Sequence, residues 1–147
     1  MSAQHRLVQY FNIIIGGNDV YIADCNVHAG DDCVPIGEYS SNVLVERVQC
    51  ACGNGASPII WATGDDPDAY IRNVVFRNMT FTGTKFGANI KSLGSCLGTL
   101  ENVTFENVVL HDVQKAINID LDGQELRAGQ GRRVGAISVR NVAFRTV

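Results

Sequence analysis

Two adjacent aspartates, Asp31 and Asp32, are the residues of this chain best equipped for chemistry. Neighbouring residues of a regular strand point to opposite faces, so consecutive carboxylates share a cleft only where the backbone bends. Gly30, just before them, permits such a bend. Carboxylates held close together oppose each other's ionisation, which keeps a proton on one of them. One acid and one base in a single cleft is the equipment of glycoside hydrolysis. The plainer alternative is a solvated or calcium-binding loop, and Asp65-Asp66-Pro67-Asp68, preceded by Gly64, reads as a surface loop of that kind. Gly53-Asn54-Gly55 reads as a tight turn that lets backbone approach something closely. In Asn89-Ile90-Lys91 the alternation sets Asn89 and Lys91 on one strand face. Lys91 there is either a point charge for an anionic sugar or an ordinary exposed lysine. His28 and His111 have no partner at a diagnostic spacing and read as surface or loop histidines.

These residues are carried by a hydrophobic phrase that recurs roughly every thirty residues, the signature of stacked supersecondary units. Its copies begin at Val20, Val43, Val74, Val103 and Ile137, and the first four follow Asp19, Asn42, Asn73 and Asn102. Apolar residues at every second position give each copy strand periodicity. No window shows a capped helical period. One strand phrase per unit with no helix between units gives a parallel β-solenoid, against the rival of an antiparallel sandwich. Val20, Ile22, Val43, Val45, Val74, Phe76, Val103 and Phe105 are expected to be buried in ladders.

The chain has 147 residues, 46% hydrophobic and 18% charged, with net charge −3. That is one domain, 1–147, with enough apolar content for a core and no sign of a nucleic-acid or acidic-membrane partner. No apolar run is long enough to span a bilayer, and Met1-Ser2-Ala3-Gln4-His5-Arg6 lacks the apolar stretch of a secretory signal. The five cysteines lack zinc-site spacing, so no metal or cofactor is expected. They read as buried free thiols or as one or two disulfides. Asn78-Met79-Thr80 and Asn102-Val103-Thr104 match the glycosylation pattern but overlap the strand phrase.

Taken in order, the pieces from about Asn18 to Asp120 resemble the polygalacturonases, glycoside hydrolase family 28. Gly30-Asp31-Asp32-Cys33-Val34-Pro35-Ile36 is similar to the family's paired-aspartate coil. Gly53-Asn54-Gly55 falls at its Gly-His-Gly turn one coil on, and Asn89-Ile90-Lys91 at its Arg-Ile-Lys a further coil on. The resemblance implies an all-β, right-handed parallel β-helix of about five coils. It implies inverting hydrolysis of α-1,4-linked galacturonic acid in pectin, with Asp31 as general acid and Asp32 assisting the base. It also implies substrate contacts at Asn54, Asn89 and Lys91, a Cys33–Cys50 bridge between neighbouring coils, and an extracellular location. Asp31, Asp32, Asn54, Asn89 and Lys91 are then expected to meet in one outer groove.

The chain departs from the family pattern in several places. No acid precedes Asp19, where an upstream Asn-Thr-Asp aspartate would fall near Gln9-Tyr10. Asn54 replaces the turn histidine, Asn89 the arginine, and Gly123 stands near the place of a substrate-binding tyrosine. Members of the family have about twice as many coils, so the chain reads as a partial helix whose open ends invite self-association. Two functions compete: a pectin-type glycosidase, and a non-catalytic β-helix that at most binds acidic polysaccharide. A calcium-dependent lyase on the same fold fits less well, because it needs a clustered calcium site and a catalytic arginine.

Overall fold

The computed structural model describes residues 16–61, 66–92, 96–121 and 137–147. Every regular element among them is a strand: β1 (Asn18–His28), β2 (Val34–Ile36), β3 (Ser40–Ala51), β4 (Ala56–Ile60), β5 (Tyr70–Thr82), β6 (Phe86–Ser92), β7 (Gly98–His111), β8 (Lys115–Asp120) and β9 (Ile137–Arg145). The long strands form one sheet in the order β1-β3-β5-β7-β9, and the short ones a second in the order β2-β4-β6-β8. All pairings are parallel. Each of the first four described coils thus contributes one long and one short strand, and β9 adds a fifth long strand, which is the parallel β-helix expected. Parallel strands joined by a crossover are right-handed as a rule.

The register stacks like on like. Val20, Val43, Val74, Val103 and Val142 form one ladder; Ile22, Val45, Phe76, Phe105 and Phe144 form the next. Six of the eight residues expected inside are fully buried, while Val20 and Ile22, on the first described coil, are half-buried against the same core. The Phe76 and Phe105 rings stack at 4.7 Å, and those of Phe105 and Phe144 at 5.4 Å. In the short sheet Val34, Ala56 and Ala88 continue the buried interior, while Ile117, next in that register, and Ile119 are exposed on β8.

The fifth copy of the phrase needs correction. Ile137 pairs with Gly98, and the partner of Val103 is Val142. The true fifth copy is Val142-Ala143-Phe144-Arg145, and the residue before it is Asn141, so all five copies follow an Asp or Asn.

That residue has a structural task. Asp19, Asn42, Asn73, Asn102 and Asn141 all lie in the left-handed region, with φ between 50° and 58°. Asn and Asp tolerate this region better than other non-glycine residues, and one such residue in an extended strand bends it. Their side chains stack as well. Asn42 Nδ2 donates to Asp19 Oδ1 at 2.9 Å, Asn73 to Asn42 at 3.0 Å, Asn102 to Asn73 at 2.9 Å and Asn141 to Asn102 at 3.1 Å. Five residues on, Asp24, Arg47, Asn78 and Asn107 repeat the bend, and Asn107 donates to Asn78 at 3.3 Å. Both glycosylation-pattern asparagines, Asn78 and Asn102, are therefore members of amide ladders.

The outer face of the long sheet carries a ladder of alternating charge, Glu46–Arg77–Glu106–Arg145. Glu46 is buried; Arg77 Nε donates to its Oε2 at 2.7 Å, and Tyr21 Oη and Arg47 Nη1 both reach Oε1. The Tyr21 hydroxyl first, then Arg77, hold the Glu46 carboxyl at about 2, against an ordinary 4.5, although its burial acts the other way. Between these values the unfolded chain binds the proton and the folded chain does not. The contribution of Glu46 is therefore complete above pH 4.5 and lost as pH falls through about 2. Urea midpoints measured down that range should fall, and fall less steeply in Glu46→Gln. Equal slopes for the two proteins would assign the acid sensitivity to other groups.

Candidate active site

The site lies where the chain turns from the long sheet to the short one. These turns stack along the axis by backbone hydrogen bonds: Asn54 N to Asp31 O (3.0 Å), Cys33 N to Gly55 O (2.9 Å), Lys85 N to Gly53 O (2.7 Å) and Lys115 N to Lys85 O (3.1 Å). The two glycines around Asn54 make the approach possible. A Cβ on Gly53 would sit 2.5 Å from the Asp31 carbonyl oxygen. Gly55, at φ +89°, would bring one to 2.4 Å from Gly87 O. Gly30 differs from expectation, since its φ is ordinary and a Cβ there meets open space. The bend at the aspartates thus depends on the coil below rather than on Gly30.

Asp31 is exposed, and its Oδ1 accepts from Asn54 Nδ2 at 3.0 Å and from the Asp32 backbone N–H at 2.8 Å. Asp32 is buried, and its Oδ2 pairs with Lys91 Nζ at 2.8 Å. Its other oxygen, Oδ1, is buried with no hydrogen-bond partner. The adjacent aspartates therefore occupy two different environments, one wet and one desolvated.

Asp31, Asp32, Asn54 and Lys91 are joined by direct contacts. Asn89 shares the outer face of β6 with Lys91 but is buried, and its Oδ1 accepts from Asn118 Nδ2 at 3.0 Å. Asn118 was not singled out in the sequence, although Asn118-Ile119-Asp120 repeats Asn89-Ile90-Lys91 one coil on, in register. Ser57 Oγ, on β4, is a second buried oxygen without a partner. Cys33 and Cys50 are buried free thiols. Burial first, and then the hydrogen bond with Cys33, push the Cys50 thiol well above its usual range. In the acidic loop Asp66 accepts from Tyr39 Oη, which raises that phenol to about 12. Gln9, Tyr10 and Gly123 lie outside the described residues.

Known proteins give the comparison. The family model "Glycosyl hydrolases family 28" matches residues 14–147. A probable polygalacturonase of Arabidopsis thaliana is 33% identical over 130 residues, 86% of this chain and 28% of that protein. The polygalacturonase QRT2 of the same plant is 30% identical, over 91% of this chain and 30% of its own length. A polygalacturonase of Prunus persica is 32% identical, over 87% of this chain and 33% of its own length. The chain spans about a third of the length of the curated relatives it matches. With the family model covering nearly the whole sequence, a parallel β-helix beneath it and an aspartate pair at the stacked turns, this chain belongs to glycosyl hydrolases family 28.

Proposed function

We propose that the Asp31–Asp32 turn is a polygalacturonase-type site that hydrolyses α-1,4-galacturonosyl links of pectin-like polysaccharide with inversion. The observation that carries this reading is the unpartnered, buried Oδ1 of Asp32. A buried carboxylate oxygen without a donor costs about 1–3 kcal/mol or more, and a water molecule supplies the missing donor. Lys91 holds the other oxygen, so Oδ1 is the one left to receive a proton. In this reading Asp31 gives its proton to the glycosidic oxygen as that bond breaks. Water attacks the anomeric carbon from the opposite face, and Asp32 takes the proton that the water sheds. The names of the relatives support the substrate class, and that substrate implies extracellular action at the cell wall.

Turnover is expected to be slow. By the resemblance, Asn54 stands where the family has a histidine and Asn89 where it has an arginine, and Lys91 already spends its charge on Asp32. That ion pair favours the second reading, a groove that holds acidic polysaccharide without cutting it. Loss of such groups removes several kcal/mol of transition-state stabilisation, at 1.36 kcal/mol per tenfold in rate, and the losses do not add. A reducing-sugar assay on polygalacturonate separates the readings. The hydrolase reading expects weak release that Asp31→Asn abolishes. No release with retained binding selects the second, and loss of both release and binding removes both.

The same reading includes a Cys33–Cys50 disulfide, since both thiols are buried and in contact across neighbouring coils. Peptide mapping after oxidative refolding should recover the cross-linked pair together with a raised melting temperature. Recovery of Cys33 and Cys50 as unlinked peptides would remove the bridge.

A further inference from the structure

We infer that Asn54 is a site of spontaneous covalent modification, at which loss of ammonia turns the side-chain amide into a carboxylate beside Asp31.

The reaction needs a backbone nitrogen within reach of the amide carbon, and the residue after Asn54 supplies it. Asn54 is the one asparagine of the chain that precedes a glycine. The fold demands that glycine, since Gly55 sits at φ +89° and a Cβ there would lie 2.4 Å from Gly87 O. With no side chain on Gly55, nothing shields its nitrogen from the Asn54 amide. Its N–H donates no backbone hydrogen bond among the described residues. Asn42, Asn73, Asn102 and Asn141 are held differently. Each precedes a valine, whose branched side chain crowds the approach, and each hands its amide N–H to the coil before it. Asn89 is buried and precedes Ile90.

The Asn54 amide gives an N–H to Asp31 Oδ1 at 3.0 Å. Asp31 is exposed and Asn54 half-buried, so water competes for that bond and releases the amide. Asp31 therefore slows the reaction without preventing it. The chemistry consumes water alone. Gly55 N gives its proton to solvent hydroxide and bonds to Asn54 Cγ. The Cγ–Nδ2 bond breaks, and Nδ2 leaves as ammonia with a proton from water. Water then opens the cyclic imide. Attack at Cγ gives aspartate; attack at the Asn54 carbonyl carbon gives isoaspartate, with the backbone rerouted through the side chain.

Either product removes the amide donor to Asp31. Aspartate sets a second carboxylate against Asp31 Oδ1, and the like charges repel. Isoaspartate lengthens the backbone between Asn54 N, bonded to Asp31 O, and Gly55 O, bonded to Cys33 N, and forces those rungs out of register. Both add negative charge to the turn, so a polyuronate is held less tightly. That last consequence rests on the proposed function; the modification does not.

The test is peptide mapping by mass spectrometry of the folded protein held at mildly alkaline pH. The unaltered chain is compared with Asp31→Ala, each checked for folding by circular dichroism. Asn54 should convert before any other asparagine, to aspartate and isoaspartate together, with matching release of ammonia. Conversion should be several-fold faster in Asp31→Ala. Asn54 left intact while another asparagine converts, or conversion in urea alone, overturns the inference. An unchanged rate in Asp31→Ala overturns the restraint assigned to Asp31. Titration with a galacturonic-acid oligomer then compares the unaltered chain with Asn54→Asp. The variant should bind about fivefold more weakly at low salt, as one added like charge a few ångströms away implies, with the gap narrowing as salt is raised. Equal affinity overturns the effect on the groove. Failure of the unaltered chain to bind the oligomer counts against the proposed function and leaves the mapping result standing.

Discussion

Phe105→Ala is expected to destabilise the fold by about 3–5 kcal/mol, a large share of the 5–15 kcal/mol that holds a typical domain together. Phe105 is fully buried and occupies the centre of a three-ring stack, with Phe76 on one side at 4.7 Å and Phe144 on the other at 5.4 Å. Truncation removes the transfer free energy of the ring and leaves a cavity that the ladder cannot close, because the backbone spacing of the coils is fixed by their hydrogen bonds. Phe144→Ala, at a half-buried position of β9, removes a ring already partly in water and should cost clearly less. Urea unfolding of the two variants measures the difference. Equal losses would show that the interior is not centred on this ladder.

Gly55→Ala is expected to cost about 2–5 kcal/mol and to damage the groove beyond that loss. The added methyl meets two backbone carbonyls, Gly87 O at 2.4 Å and Phe86 O at 2.5 Å, and backbone cannot swing aside as a side chain can. The residue also sits at φ +89°, where an alanine is strained by a further 1–2 kcal/mol or so. Relief requires the second and third coils to separate at their turns. That moves β6, with Lys91, away from Asp32, and leaves the Asn54–Asp31 contact, between the first two coils, in place. Gly30→Ala is the control: it changes the residue beside the aspartates, meets nothing within 4 Å, and should be nearly neutral. Denaturation midpoints give the stabilities, and titration with a galacturonic-acid oligomer at a temperature where all three proteins are folded gives the effect on the groove. A Gly55→Ala protein as stable as Gly30→Ala would refute the close-approach account of this turn.

The fold was legible because a β-helix writes its register into the chain. Val43, Val74 and Val103 are repeated in sequence because they are stacked in space. The last copy was misplaced because Ile137-Ser138-Val139 alternates like the phrase itself, while the marker that fixes the register, an asparagine just ahead, stands at Asn141. The aspartate pair, Asn54 and Lys91 were legible as chemistry-bearing residues at one-coil intervals. Their pairing was not, since Asp31 with Asn54 and Asp32 with Lys91 depends on which carboxylate the turn buries. The Glu46 cluster was missed, although Glu46, Arg77, Glu106 and Arg145 hold the same place in successive phrases with alternating sign.

The asparagine ladder has a direction. Each amide hands its N–H back to the preceding coil, from Asn141 through Asn102, Asn73 and Asn42 to Asp19. In the language of chain growth, Asn141 is the propagating end, with an oxygen that carries no donor among the described residues. At the other end Asp19, a carboxylate, accepts from Asn42 and has no amide N–H to hand on. The described rungs therefore add in one sense only, each coil donating to the one before it, so the ladder has a head and a tail as a polymer strand does.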